Sequence, residues 1–350
     1  MRNNMSEALD ILRASLYSID RSIVDLVAAR MQVAKIIGST KARLGTPVYD
    51  EKREVVVLNM LVEEARRLGL PAELVRAIYR ELARWSRCQQ IYCPVKARMA
   101  VYGYGSMARM LVFLLAKAGC WVAVTGRNEE KASRLAKEVG VEAVGVREAI
   151  DWADMIIYAI PTQPLIELLK QHWPLYRGSM LVTDIASVKK PVVEVVEKLV
   201  RERGEDSPDY ASLHPLFGPL ECPSGETIAI VPVKLELWKS RLEKLLVNGL
   251  GFRLVYTTAD EHDKAMAINQ ILHHLALELY AKAREKLAEK LGTPKHLIKE
   301  LSTRSLKQTL TTWERLETMY KVVEEIRVEN PYTREAVMIL EETLNRILES

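Results

Sequence analysis

Arg13, Arg30, Lys41 and Arg53 place four cations along the first part of the chain, and Glu54, Ser86 and Gln90 add hydrogen-bonding groups. Such a set can converge on one pocket, where guanidiniums grip carboxylates through paired hydrogen bonds. Further along, Gly103-Tyr104-Gly105-Ser106-Met107-Ala108 has the spacing of a glycine turn. A turn of this kind admits a pyrophosphate against the free N–H groups of the helix that follows. A third set centres on His214 in Leu213-His214-Pro215-Leu216-Phe217-Gly218-Pro219. Its imidazole can exchange a proton near neutral pH, the alternative for a lone histidine being a structural role.

These side chains need elements to hold them. Leu9, Leu12, Leu16, Ile19, Ile23 and Leu26 recur at alternating steps of three and four, which predicts one long helix with a heptad seam. The helix can continue to about Leu44, roughly 55–60 Å at 1.5 Å per residue. Nothing so long buries its seam alone in so short a unit, so pairing with a second copy, as a homodimer, is expected. Arg30 falls on the seam, where an unpaired guanidinium is costly and an anionic partner is expected. Gly45-Thr46-Pro47 ends the helix. Asp50 is placed to cap a second one, through Val57, Leu61 and Ala65 to Gly69. Pro71 opens a third, through Val75, Ile78, Leu82 and Trp85 to about Tyr92. Residues 1–92 therefore read as an all-α three-helix unit.

After Cys93-Pro94-Val95-Lys96 the pattern changes to alternating strands and helices, an α/β Rossmann domain over 97–255. Strands at 99–102 and 121–125 enclose the glycine turn and its helix in one βαβ unit. The second strand ends in Thr125-Gly126-Arg127-Asn128. An acidic residue there would take the ribose hydroxyls of NAD. Gly126 and Arg127 instead suit a 2′-phosphate and point to NADP, with NAD the alternative. Gly103, Gly105, Ser106, Met107, Arg127 and Asn128 are the expected cofactor residues. Pro161 and Ser187 join them, because they lie just beyond strands at 155–160 and 180–185, where an open sheet meets its ligand. From 256 to 350 the pattern is helical, an all-α domain.

Composition narrows the classes. Apolar residues make up 49 % and charged residues 27 % of 350, and the formal charge is only +4. This balance argues against nucleic acid or a membrane surface as partner. No apolar run reaches about 18 residues, so no bilayer span is expected, and the first residues lead into an amphipathic pattern rather than a signal core. Cys88, Cys93, Cys120 and Cys222 lack metal-ligand or disulfide spacing and read as reduced thiols. A cytoplasmic protein without a metal is expected.

The spacing of Arg13, Arg30, Lys41, Asp50, Arg53, Glu54, Ser86 and Gln90 strongly resembles the all-helical chorismate mutases, as found in chorismate mutase–prephenate dehydrogenase fusions, over about residues 8–92. The resemblance implies that these residues line one site, with Arg13 reaching in from a partner subunit. Rearrangement of chorismate to prephenate is pericyclic and needs neither nucleophile nor proton transfer. What helps is holding the reactive conformer and placing cations at the ether oxygen. Lys41 and Gln90 suit that oxygen, Glu54 the ring hydroxyl, and the guanidiniums the two carboxylates.

Asp184-Ile185-Ala186-Ser187-Val188-Lys189, taken with the stretch around His214, closely resembles the prephenate dehydrogenases. By that resemblance His214 takes the proton of the 4-hydroxyl of prephenate as hydride leaves C4, and loss of the ring carboxylate gives 4-hydroxyphenylpyruvate. Ser187 would orient His214 or the same hydroxyl. Asp260-Glu261-His262-Asp263-Lys264-Ala265-Met266-Ala267 resembles the start of the family's helical dimerisation domain, where His262 matches a histidine near the substrate. The family's carboxylate-binding arginine aligns with Lys307, and Arg304 lies one helical turn earlier. Both are carried as substrate-binding residues, although lysine supplies charge without a bidentate grip. The expected protein is a bifunctional enzyme of tyrosine biosynthesis acting on chorismate and prephenate. Alternatives are an arogenate dehydrogenase, a dehydrogenase with a non-catalytic N-terminal dimerisation or effector module, and a β-hydroxyacid dehydrogenase sharing only the dinucleotide fold.

Overall fold

The computed structural model describes residues 2–349, and three helices account for the chain as far as Gln90. Helix α1 (Arg2–Leu44) is followed by α2 (Glu51–Arg67), whose N-cap Asp50 accepts from the Arg53 N–H at 2.9 Å. Helix α3 (Ala72–Gln90) follows Pro71 and packs on the C-terminal half of α1. Gly38 allows that closeness, because a Cβ there would stand 2.5 Å from the Gln90 Cα. The N-terminal half of α1 has no such cover. The seam residues Leu9, Leu12, Leu16, Ile19, Ile23 and Leu26 remain between 51 % and 70 % exposed within one chain. Apolar side chains repeated in this way favour burial against another helix.

The next unit begins with β1 (Arg98–Tyr102), α4 (Ser106–Lys117), β2 (Trp121–Thr125), α5 (Glu129–Val139) and β3 (Glu142–Ala143). It continues through α6 (Val146–Trp152), β4 (Met155–Tyr158), α7 (Thr162–His172), β5 (Leu181–Asp184) and α8 (Lys190–Arg203) to β6 (Asp209–Pro215). The sheet closes with β7 (Thr227–Lys234), α9 (Lys239–Glu243) and β8 (Arg253–Tyr256), in the order β3-β2-β1-β4-β5-β6-β7-β8. Pairing is parallel from β3 through β6, turns antiparallel between β6 and β7, and returns to parallel for β8. Strands covered by helices on both sides bury both sets of alternating side chains. Met99 and Val101 join the core on one face with Leu111, Leu115 and Val124, whereas Ala100 and Tyr102 join the other with Ile156, Tyr158 and Leu165.

The remainder is helical: α10 (Ala259–Met266), α11 (Leu272–Lys290), α12 (Lys295–Glu300), α13 (Arg304–Thr318), α14 (Tyr320–Glu329) and α15 (Thr333–Glu349). A small core of Val188, Ala267, Ile271, Ile326 and Ala336 joins these helices to the C-terminal edge of the sheet. The N-terminal helices dock on the sheet unit through backbone hydrogen bonds, Val48 N to Asn248 O and Tyr92 N to Gly249 O, both 3.0 Å. Among the described residues no helix is long and apolar enough to cross a membrane, and no cluster of His, Cys, Asp and Glu could hold a metal ion.

The cysteines correct the reading as reduced thiols. Cys88 is disulfide-bonded to Cys222 and Cys93 to Cys120, with Cα atoms 5.7 and 5.2 Å apart. The partners are 134 and 27 residues apart in sequence. The fold brings them together, so local spacing carries no sign of the pairing. Cys88–Cys222 ties α3 to the loop between β6 and β7.

Candidate active sites

In the helical unit, Arg30 donates to the Leu82 carbonyl at 2.9 Å and to the Ser86 hydroxyl, and lies over the Tyr79 ring at 5.8 Å. The anionic partner expected for it is not there. Among the described residues no carboxylate lies within ion-pair distance of Arg30, and its charge is met by neutral oxygens and a ring face. Ser86 is buried, and its hydroxyl donates in turn to Leu82 O at 2.6 Å. Tyr79 is buried beside Arg30. Burial raises its pKa, Glu54 adds to that, and Arg30, Arg53 and Arg87 oppose it. Lys41 donates to Val48 O at 2.7 Å, and burial lowers its pKa against the pull of Asp50 and Glu54. Gln90 is half-buried, with its Oε1 buried and unbonded among the described residues.

Thus Arg30, Lys41, Asp50, Arg53, Glu54, Ser86 and Gln90 gather around the α1–α3 crossing and the start of α2. Arg13 does not join them. It lies on the uncovered half of α1, exposed, and pairs with Asp10 at 3.2 Å. The residue that sequence reasoning missed is Arg87, which grips both Glu54 oxygens, at 2.8 and 2.7 Å, and donates from Nε to Ser224 O at 2.9 Å. A cation one residue after Ser86 on the same helix was the available signal.

In the sheet unit, Gly103 has φ +140°, and a Cβ on it would stand 2.5 Å from Ala159 O, so glycine is required between β1 and β4. Gly105 begins α4 with no side-chain cap, and a Cβ there would meet nothing within 4 Å. The helix N-terminus therefore opens to solvent, which suits a pyrophosphate. Gly105, Ser106, Met107, Pro161 and Ser187 line one cavity of about 190 Å³, together with Glu325 and Glu329 of α14. Asn128 caps α5 by accepting from Lys131 N at 2.8 Å, and exposed Arg127 precedes it at the end of β2. Tyr104 packs against Gly126, and Lys131 Nζ stands 5.5 Å from its ring centre. The residues present fit a dinucleotide.

Ser212 pairs with Asp184 across β5 and β6, so His214 lies at the level of the turn that carries Ser187. His214 Nδ1 is 2.9 Å from His262 Nε2, and His262 Nδ1 is 2.8 Å from Asp263 Oδ1. All three residues are buried. Burial holds the His214 pKa well below its usual 6.5, and Lys189 and His262 push the same way. Lys189 is itself fully buried, donating to Ser212 Oγ at 2.8 Å and Leu213 O at 2.6 Å, with Asp184 Oδ1 3.5 Å away. Asp184 also accepts from the Tyr210 hydroxyl at 2.6 Å. Sequence reasoning placed Asp184, Lys189 and Asp263 in its motifs but gave them no role. A lysine and an aspartate bracketing an apolar strand end, and a carboxylate directly after His262, were the signals. Lys307 and Arg304 lie exposed on α13, which packs on α11 and α14 rather than on the sheet. The structure does not bring them to His214.

Comparison with known proteins separates the chain at the same joint. The family model described as chorismate mutase type II matches residues 12–91, a span that holds Arg13, Arg30, Lys41, Asp50, Arg53, Glu54, Ser86 and Gln90. That described as prephenate dehydrogenase, nucleotide-binding domain, matches residues 113–227, including Ser187 and His214. The T-protein of Enterobacter agglomerans is 29 % identical over 289 residues, covering 79 % of this chain and 70 % of the relative. The T-protein of Haemophilus influenzae is 26 % identical over 282 residues, covering 77 % and 68 %. A crystal structure of prephenate dehydrogenase from A. aeolicus, in complex with hydroxyphenyl propionate and NAD+, superposes with a TM-score of 0.56 at 20 % identity, over 72 % of this chain and 89 % of that one, and shows a shared fold. With both families matched in one chain and relatives aligned across most of it, the protein is a bifunctional chorismate mutase and prephenate dehydrogenase of tyrosine biosynthesis.

Proposed function

We propose that His214 is the base of the dehydrogenase half and that its cofactor is NADP. The observation that carries the first part is the placing of a buried, neutral imidazole level with Ser187 at the C-terminal edge of the sheet. A bound nicotinamide supplies a hydride acceptor. His214 accepts the proton of the 4-hydroxyl as hydride leaves C4 and returns it to that oxygen as the ring carboxylate departs as CO2. Ser187 orients the same hydroxyl. Arg127 carries the second part: with Gly126 before it and Lys131 beside Tyr104, it gives the ribose end a cationic edge suited to a 2′-phosphate. Gly103, Gly105, Ser106, Met107 and Pro161 hold the pyrophosphate and nicotinamide ends, and Asn128 keeps the adjoining helix in place. Lys307 and Arg304 are the candidates for the substrate carboxylate, reached by movement of α13 or from a second chain.

In the mutase half, Arg30 and Arg53 hold the carboxylates of chorismate, and Ser86 and Asp50 fix the surrounding groups. Lys41 and Gln90 meet the ether oxygen as negative charge develops on it, and Glu54 holds the ring hydroxyl. The exposed seam of α1 supports a homodimer in which Arg13 completes the site of its partner. The three units, 1–92, 97–255 and 256–350, act as mutase, nucleotide-binding and substrate or dimerisation domains in the cytoplasm. The test supplies chorismate with NADP or NAD to the whole protein and follows reduced cofactor and 4-hydroxyphenylpyruvate. NADP-dependent formation of both supports the reading. Turnover of arogenate in preference to prephenate, or equal use of NAD, overturns the corresponding part.

A further inference from the structure

Asp263 has no part in the chemistry described so far, yet it is buried and bonded on every side. Its Oδ1 lies 2.8 Å from His262 Nδ1 and accepts from Lys189 N at 2.9 Å, while Oδ2 accepts from Lys190 N at 2.9 Å. Its own carbonyl accepts from Asn330 Nδ2 at 3.0 Å. Segments far apart in sequence thus fix the carboxylate plane. An ionised carboxylate only accepts hydrogen bonds, so the hydrogen between it and His262 belongs to Nδ1 of the ring. A neutral imidazole protonated at Nδ1 has a lone pair at Nε2, and that atom faces His214 Nδ1 at 2.9 Å. His214 must then donate from Nδ1, which leaves its Nε2 unprotonated.

We propose that Asp263 is a positioning residue that acts through His262 to hold His214 in its Nδ1–H tautomer, with Nε2 free to accept the substrate's hydroxyl proton. The inference rests on the reading of His214 as base. Lys189 does not compete for Asp263 through its ammonium group, which is committed to Ser212 Oγ, Leu213 O and the nearby Asp184. The row therefore runs one way, from carboxylate to His262 to His214, and ends on the atom that does the chemistry. A plainer role is available to the same carboxylate: with its bonds to Lys189 N and Lys190 N it caps α8.

Two substitutions separate the roles. Asp263→Asn keeps an acceptor for α8 but can present an amide N–H to His262 Nδ1, reversing both rings and protonating His214 Nε2. Asp263→Ala removes the cap and leaves the rings free to take either tautomer. Positioning predicts that Asn lowers dehydrogenase kcat by about 10³–10⁴, that Ala lowers it less, and that KM for prephenate and cofactor changes little in both. Capping alone predicts the opposite order, with Asn the more active variant. Circular dichroism and the melting temperature of the same samples report whether the chain has folded. Nitrogen-15 NMR of histidine-labelled protein reads the tautomer without turnover, with His214 Nε2 unprotonated in the native chain and protonated in Asp263→Asn. A native His214 protonated at Nε2, or an Asn variant as active as Ala, overturns the proposal even if one variant proves too unstable to assay. His214→Asn keeps the two readings apart: if it turns over normally the base assignment fails, whereas its inactivity beside an active Asp263→Asn refutes only the role given to Asp263.

Discussion

The two sites of this protein are built on opposite plans. The residues around the proposed base, His214, His262, Asp263, Lys189 and Asp184, are buried and bonded to one another within a single chain. The residues proposed for the mutase are more open: Arg30 and Lys41 are half-buried, Arg53 is exposed, Gln90 Oε1 is unbonded among the described residues, and Arg13 is stranded on an open helix. The chemistry of each reaction accounts for the difference. Proton and hydride transfer need one nitrogen in one protonation state, and in the proposed site burial and a hydrogen-bond row would provide it. A pericyclic rearrangement needs a charged enclosure, and an enclosure can be assembled from two chains.

The contrast predicts which half each change will break. His214→Asn should lower prephenate oxidation by about 10²–10⁴ while chorismate rearrangement proceeds unchanged, as assayed on one preparation. In the other direction, Arg30→Ala should lower mutase kcat/KM by about 10²–10³ and spare the dehydrogenase. A charge on the seam, as in Leu16→Asp, should make mutase activity depend on protein concentration, and sedimentation should show monomer in proportion to the loss. Next in size, Arg127→Ala should raise KM for NADP by about tenfold, the equivalent of roughly 1.4 kcal/mol, with little change for NAD.

Acid should act on the buried half first. His214 titrates well below 6.5 in the folded chain, and burial holds His274 at about 4. Unfolded histidines titrate near 6.5, so below that pH the unfolded chain binds more protons than the folded one. Stability should therefore be full above about pH 6.5 and fall as pH drops from there through the folded values, read as a falling Tm. The smallest effect on activity is expected from reduction of Cys88–Cys222. It should leave both reactions running but lower the melting temperature, because a bond closing a long loop stabilises by about 2–4 kcal/mol.

Legibility followed range. The helices around Leu12 and Val75, the Asp50 cap and the Gly103 turn depend on residues within a few positions of one another, and their patterns could be read directly. Arg30 was legible as an anomaly but not in its solution, because Leu82 O and Ser86 lie more than fifty positions away. Asp263 was visible beside His262, but its bonding was not, for the same reason. Its meaning comes from the backbone N–H groups of Lys189 and Lys190, brought to it when α10 packs on α8. The cysteine pairs show the limit most plainly, since their spacing is a by-product of the fold. The antiparallel turn between β6 and β7 likewise left no mark in the hydrophobic pattern, because both strands are apolar in either direction.

Complementation between chains tests the contrast most directly. Arg13→Ala and Arg30→Ala chains are prepared separately, each with low mutase and full dehydrogenase activity, then dissociated and mixed in equal amounts. If each mutase site draws Arg13 from one chain and Arg30 from the other, half the dimers are mixed and each holds one intact site. Mutase activity should then return to about a quarter of the native value while the dehydrogenase does not change. No recovery after verified exchange of chains would show that the mutase site is complete within one chain, and would contradict the account.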